Sequence, residues 1–317
     1  MAEDKQRDAK NASPSGEEAS SDAQEAVSLR PLRAGLHYFL QPVLMVGVLW
    51  YWYANLESVD ITFVVSIVAV RVILGILEYW LPARPDWVQR APERIRNIVM
   101  VLFLTTLTVI VAGWYDELLA PPLAELRAFL GADIWPHHWP LLLQVFMVFF
   151  LSEFIWYWLH RAEHRWAFVW RVSGHGAHHS FKNLGALNFG VNHPLENFFL
   201  VLPAALVELF FGVGIATAGA AILTATLASI AHTNLDLNSK IIGWLFTTNR
   251  FHICHHSVVL DESNTNYGCA AIVWDRVFGT FLDKEIEEAG SGPTEPSTWA
   301  KFLMPLKEPA DTGIAPN

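Results

Sequence analysis

The chain has 317 residues, 53% of them hydrophobic, and a formal net charge of −10. That apolar share, with a positive mean hydropathy, exceeds what one soluble core of this length can bury, so an integral membrane protein is expected. Two cysteines exclude a disulfide framework, and Cys254 falls inside a histidine cluster, which favours a reducing compartment.

The first thirty residues are rich in Glu, Asp, Ser and Ala and nearly free of large apolar side chains, so residues 1–33 are read as a disordered acidic tail. The tail lacks the order of a secretory signal peptide, and insertion is expected to rely on internal segments. Spanning helices are predicted over about 36–55, 61–82, 97–116 and 140–159. Aromatic belts close the first (Trp50 to Tyr53), the second (Tyr79, Trp80) and the fourth (Trp156 to Trp158). Arg30 and Arg33 precede the first span, and Arg84, Arg90, Arg94 and Arg96 lie between the second and third. Those regions are expected in the cytoplasm, the opposite loops carrying Glu57, Asp60, Asp116, Glu117, Glu125 and Asp133. The fourth span then delivers His160 to the cytoplasmic face.

Residues 197–231 are apolar but divided by Pro203 and by Gly212-Val213-Gly214 into two pieces short for full spans, which predicts a helical hairpin that returns to the same side. The expected fold class is all-α: about four spanning helices plus a hairpin, with a cytoplasmic histidine-rich di-metal cap. The expected division is a tail over 1–33, membrane helices over 34–135, a catalytic region over 136–284 and a polar tail over 285–317.

Eight of thirteen histidines fall into three groups: His160 with His164; His175, His178 and His179; and His252, His255 and His256. Residues three and four apart share a helix face, so each group is expected to present its imidazoles to one point. Eight imidazoles exceed the needs of one ion, which implies two metals. The order His160-Arg-Ala-Glu-His164 sets its glutamate beside the second histidine and so argues against a zinc protease. Two alternatives from other classes are a histidine-rich metal-binding or transport protein of the membrane, and a haem electron-transfer protein, which would leave the triplets unexplained.

With Asn192-His193-Pro194-Leu195-Glu196, His232-Thr233-Asn234, Asn266-Tyr267-Gly268 and the run Trp274 to Thr280, these histidine boxes resemble the fatty acid hydroxylase and sterol desaturase superfamily over about 145–282. The resemblance implies two irons that use O2 to hydroxylate or desaturate a membrane lipid. It also implies a separate redox partner, of cytochrome b5 or ferredoxin type with a reductase, because the His-Pro-Gly-Gly haem motif of fused relatives is missing. No nucleic-acid partner is expected, and the membrane is a bacterial inner membrane or endoplasmic reticulum. The eight clustered histidines would be ligands, His232 a further ligand, and His193 a ligand or a structural contact. Asp275, Asn266 and Glu196 are candidates to orient them. Glu163 is read as a solvated helix charge whose change to Gln is mild. Glu153, an acid inside the membrane, is expected to meet substrate or a water path, Arg71 and Glu78 share that status with structural pairing as the alternative, and His37, His137 and His138 are read as interfacial.

Overall fold

The computed structural model describes residues 16–306 apart from Ser239. Helix α1 (Gly16–Tyr53) is followed by α2 (Val59–Trp80), α3 (Ala91–Leu130) and α4 (Leu141–Arg165), and no strand occurs among the described residues. These four helices are long and apolar enough to cross a membrane. Their exposed faces are apolar, with Val46, Trp50, Ile76, Phe103 and Leu118 all more than half exposed; an all-round apolar surface of this kind suits lipid.

Three boundaries differ from the sequence reading. Of the tail expected over 1–33, residues 1–15 lie outside the described residues, while 16–33 are the first turns of α1. That segment is rich in Glu, Ala, Gln and Leu, good helix formers, and continues a helix already nucleated by the apolar stretch behind it. Helix α3 runs to Leu130, about 60 Å in all, through Pro121 and Pro122. It does so beside helix α7 (Glu196–Phe211), to which it is tied by Thr108, whose hydroxyl donates to Asn197 Oδ1 (2.8 Å), and by Tyr115, whose hydroxyl donates to the Phe198 carbonyl (2.8 Å). Pro203 stays inside α7 and does not break it. The hairpin instead turns at Gly212 (φ 65°) and Gly214 (φ 78°), left-handed positions that glycine occupies without strain. Helix α8 (Ala216–Ala231) returns. Of the polar segment expected over 285–317, residues 307–317 lie outside the described residues.

The apolar core lies where α1, α4 and α8 meet, around Trp52, Phe149, Leu223 and Leu227, all fully buried. Beyond the ends of α4 and α8 the chain forms a cap of short helices: α5 (Ala167–Ser173), α6 (His175–His179), α9 (Asn249–His255), α10 (Leu260–Ser263), α11 (Val273–Phe278) and α12 (Thr298–Phe302). Two acids, Glu78, partly buried, and Glu153, buried, fasten this cap to the bundle. Glu78 of α2 accepts from the Ala186 N–H (2.8 Å), the Thr233 hydroxyl (2.7 Å) and the Asn234 N–H (2.8 Å). Glu153 of α4 accepts from the Ala270 N–H (3.0 Å) and the Thr224 hydroxyl (3.5 Å). Both Glu153 oxygens thus join α4 to α8 and to the loop before α11.

Candidate metal centre

Nine histidines converge where α4, α6, α8 and α9 end, and they form two groups. His160, His164, His175, His179 and His255 make one, and His178, His232, His252 and His256 the other; within each group the ligand nitrogens all lie within 4.8 Å of one another. None of the nine is more than 6% exposed.

The division cuts across the sequence boxes. His175 and His179 go to one group and His178 to the other; His252 and His256 go to one and His255 to the other. The expectation that each box serves one point is therefore corrected, and the helical period explains why. At about 100° per residue, positions i and i+4 lie roughly 40° apart, while i+3 and i+4 are separated by roughly 100°. The first and last histidines of each five-residue box share one centre, and the middle one turns to its neighbour.

The protonation of the rings follows from their partners. His160 Nδ1–H donates to the Tyr267 carbonyl (2.6 Å), His255 Nδ1–H to the Thr265 carbonyl (2.7 Å) and His232 Nδ1–H to the Ala228 carbonyl (2.7 Å). Carbonyls only accept, so the Nδ1 atoms carry the hydrogens and, in a neutral ring, Nε2 is a bare lone pair. Yet these nitrogens crowd other imidazoles: His255 faces His160 at 3.1 Å and His160 faces His175 at 2.9 Å, lone pair to lone pair, and His232 Nε2 lies 3.0 Å from His252 Nε2 and 3.1 Å from His178 Nε2. Protonation does not relieve this, because burial, followed by repulsion from the neighbouring imidazoles, holds His175, His178, His252 and His256 well below the ordinary imidazole value. Burial does the same at His255. A metal cation in each group does relieve it. Ligands at right angles on an ion with bonds of ~2.1 Å lie about 3.0 Å apart, whereas tetrahedral ones lie about 3.4 Å apart. The adjacent separations here, 2.9 to 3.2 Å, match the right-angled set. The residues fit two metal ions.

The supporting contacts are specific. Glu196, at the first turn of α7, accepts from His175 Nδ1–H at 2.7 Å. Glu163 is completely buried, with Oε2 3.6 Å from the same nitrogen, and is not a solvated charge. It lies three residues after His160 and one before His164, so the helix that turns both histidines inward turns it inward too. Asp275 and Asn266 touch no imidazole and instead brace the segment that does. Asp275 accepts from the N–H groups of Tyr267 (2.8 Å) and Gly268 (2.7 Å) and from the Thr280 hydroxyl (2.7 Å), and burial pushes its carboxyl up to about 6. Asn266, with φ of 53°, donates to the carbonyls of Phe251 (2.9 Å) and Leu282 (2.7 Å). One short stretch, residues 265–267, thus orients histidines from two helices; no histidine marks it in the sequence.

His193 is not brought to either group. Its Nδ1 accepts from the Leu195 N–H (3.1 Å), so the proton is on Nε2, which donates to the Phe302 carbonyl (3.1 Å). It packs over Gly174, where an added Cβ would fall 2.5 Å from the His193 ring, and shapes the turn that aims Glu196. Trp170 also had no functional reading from the sequence; its ring meets His164, His175 and His179 edge-on or tilted at 5.1 to 5.4 Å. Cys254, between two histidines in sequence, faces the apolar cluster of Trp87, Phe181 and Leu184, where burial pushes its thiol up to about 11, so it remains protonated. His37 meets Asp236 at 3.3 Å, close in sequence to His232.

Residues 145–280, which hold all nine histidines, match the family described as fatty acid hydroxylase. Among curated relatives, ornithine lipid hydroxylase OlsE of Rhizobium tropici is 31% identical over 66% of this chain and 63% of its own length. Sphinganine C4-monooxygenase 2 of Arabidopsis thaliana is 30% identical over 49% of this chain and 61% of its own. Alkylglycerol monooxygenase of Xenopus tropicalis is 27% identical over 51% of this chain and 35% of its own. The chain therefore spans less than two thirds of each of these relatives. No solved structure matches it.

Proposed function

We propose that this protein is an O2-dependent di-iron oxygenase that hydroxylates a membrane lipid, with the nine clustered histidines as the ligands. The observation that carries the reading is the pair of buried, right-angled nitrogen sets at the ends of apolar helices. Right-angled imidazole sets disfavour tetrahedral zinc and suit iron. Two irons would supply the oxidising power to break an unactivated C–H bond, using O2 and two external electrons. The protein's own residues do the rest. Glu196 and the carbonyls of Tyr267, Thr265 and Ala228 fix the tautomers of His175, His160, His255 and His232, so each of these four rings offers its Nε2. Trp156, stacked on His160 at 5.1 Å, and Trp170 keep water from the ring faces. The activities for which the relatives are named, on an ornithine lipid, on sphinganine and on an alkylglycerol, favour hydroxylation over desaturation and an amphipathic lipid as substrate. The distribution of Arg and Lys supports a cap on the cytoplasmic side, where a separate redox protein would deliver electrons.

The test is comparative lipid mass spectrometry of cells with the protein, without it, and with His255→Ala. A species heavier by about 16 Da that depends on His255 is expected, an added oxygen being the mark of hydroxylation. A loss of about 2 Da instead identifies a desaturase. No shift in any lipid class, with iron loaded and electrons supplied, would refute the reading.

A further inference from the structure

Between α2 and α3 lies a groove of about 740 Å³, within the size range of small-molecule sites. Val68, Val72, Ile76, Ile98 and Leu102 make it apolar. One residue breaks the pattern. Arg71, midway along α2, lines the groove and is only 8% exposed. Its Nε has no partner, and no hydrogen bond or ion pair is found for its guanidinium among the described residues. The guanidinium carbon stands 5.6 Å from the centre of the Phe189 ring, and that ring stands 5.5 Å from His232.

A guanidinium keeps its charge even when buried, and a buried charge without a counter-charge is costly. Glu78, two turns along the same face of α2, lines the same groove, but its Oε1 accepts three donors of the cap and it makes no ion pair with Arg71. A loaded metal centre beyond Phe189 would add positive charge and raise the cost further. An anionic group in the groove beside Arg71 would supply the missing counter-charge.

Building on the hydroxylase reading, we propose that Arg71 is the specificity residue for an acyl lipid bearing an oxyanion, carboxylate or phosphate, which it draws to the wall of the metal centre. The chain of that lipid lies along α2 and α3, and the oxyanion meets Arg71 beside Phe189. The carbon presented to the metals is then one close to the acidic group and not one near the far methyl end. Arg94, stacked on Tyr79 at 4.9 Å at the polar end of the groove, leaves room for a larger headgroup.

The test measures binding, not turnover, so it stands apart from the lipid-product experiment. Full-length purified protein in neutral detergent is titrated with nitroxide-labelled stearate, its methyl ester and labelled phosphatidic acid, at a pH where the acids are ionised, and immobilised probe is read by electron spin resonance. The expected result is at least tenfold tighter binding of one or both acids than of the ester. Preference for stearate alone assigns a carboxylate and preference for phosphatidic acid alone a phosphate. Arg71→Gln should bring acids and ester to parity while iron content stays unchanged, and Arg71→Lys should keep most of the preference. Should Arg71→Gln fail to fold, the wild-type comparison still decides. Gly75→Phe provides a second variant, because Gly75 lines the groove and an added Cβ there meets nothing within 4 Å, so the ring should block all three probes. Binding of the ester within twofold of both acids, an acid preference that survives Arg71→Gln, or full binding to Gly75→Phe would overturn the proposal.

Discussion

Replacing Glu196 tests how the centre is held, because this one carboxylate makes the closest side-chain contact to a histidine of the set. Glu196 Oε1 is 2.7 Å from His175 Nδ1, and both residues are about 1% exposed. A charge-assisted hydrogen bond contributes roughly 1.5–3 kcal/mol and a neutral one roughly 0.5–1.5 kcal/mol. Glu196→Gln, which can still accept through its amide oxygen, should therefore cost about 1–2 kcal/mol in metal affinity, a factor of roughly 5–30. Glu196→Ala leaves a buried Nδ1–H with no acceptor except Glu163 at 3.6 Å, so the loss should reach ~100-fold, the upper end for groups that orient metal ligands. The assay is iron content by mass spectrometry, with chelator competition on purified wild type, Glu196→Gln and Glu196→Ala. Because Glu163 faces the same nitrogen, Glu163→Gln should also lower affinity, and the double variant should lose less than the sum of the singles. Full retention of both irons by Glu196→Ala, with chelator competition within twofold of wild type, would refute the orienting role.

Other outcomes follow from the same geometry. Removing metal with a strong chelator should lower the melting temperature markedly, since binding at a thousand times Kd stabilises by about 4 kcal/mol and its loss leaves nine buried imidazoles crowded together; an unchanged melting temperature would argue against ligation. Asp275→Asn replaces one acceptor with a donor facing the Tyr267 or Gly268 N–H, so a loss of roughly 1–3 kcal/mol in thermal stability is expected, together with reduced iron at the His160 group. His193→Ala should lower stability yet leave both irons in place, checked by calorimetry and metal analysis; loss of one iron would restore it as a ligand. Gly176→Ala sets a Cβ 2.8 Å from Trp170 Nε1, and the displaced indole should disturb His164, His175 and His179 and reduce bound iron.

Much of this molecule was legible in the residues because its signals are local. Runs of about 20 apolar residues name spanning helices wherever they occur, and histidines spaced three and four apart converge on any helix. Even the inward face of Glu163 was present in its position between His160 and His164, although a charged residue near a helix end reads first as solvated. What the sequence could not carry was pairing between distant segments. That His178 joins His232 and His252, while His255 joins His160, depends on how four helix ends dock. That Asn266 bonds the Leu282 carbonyl, that Glu153 bonds Ala270, and that His193 bonds Phe302 are contacts across 16 to 117 residues of chain. Arg71 shows the limit most clearly: a charge in an apolar helix announces a cost, but only the tertiary structure shows that its Nε is left without a partner in the wall of an apolar groove.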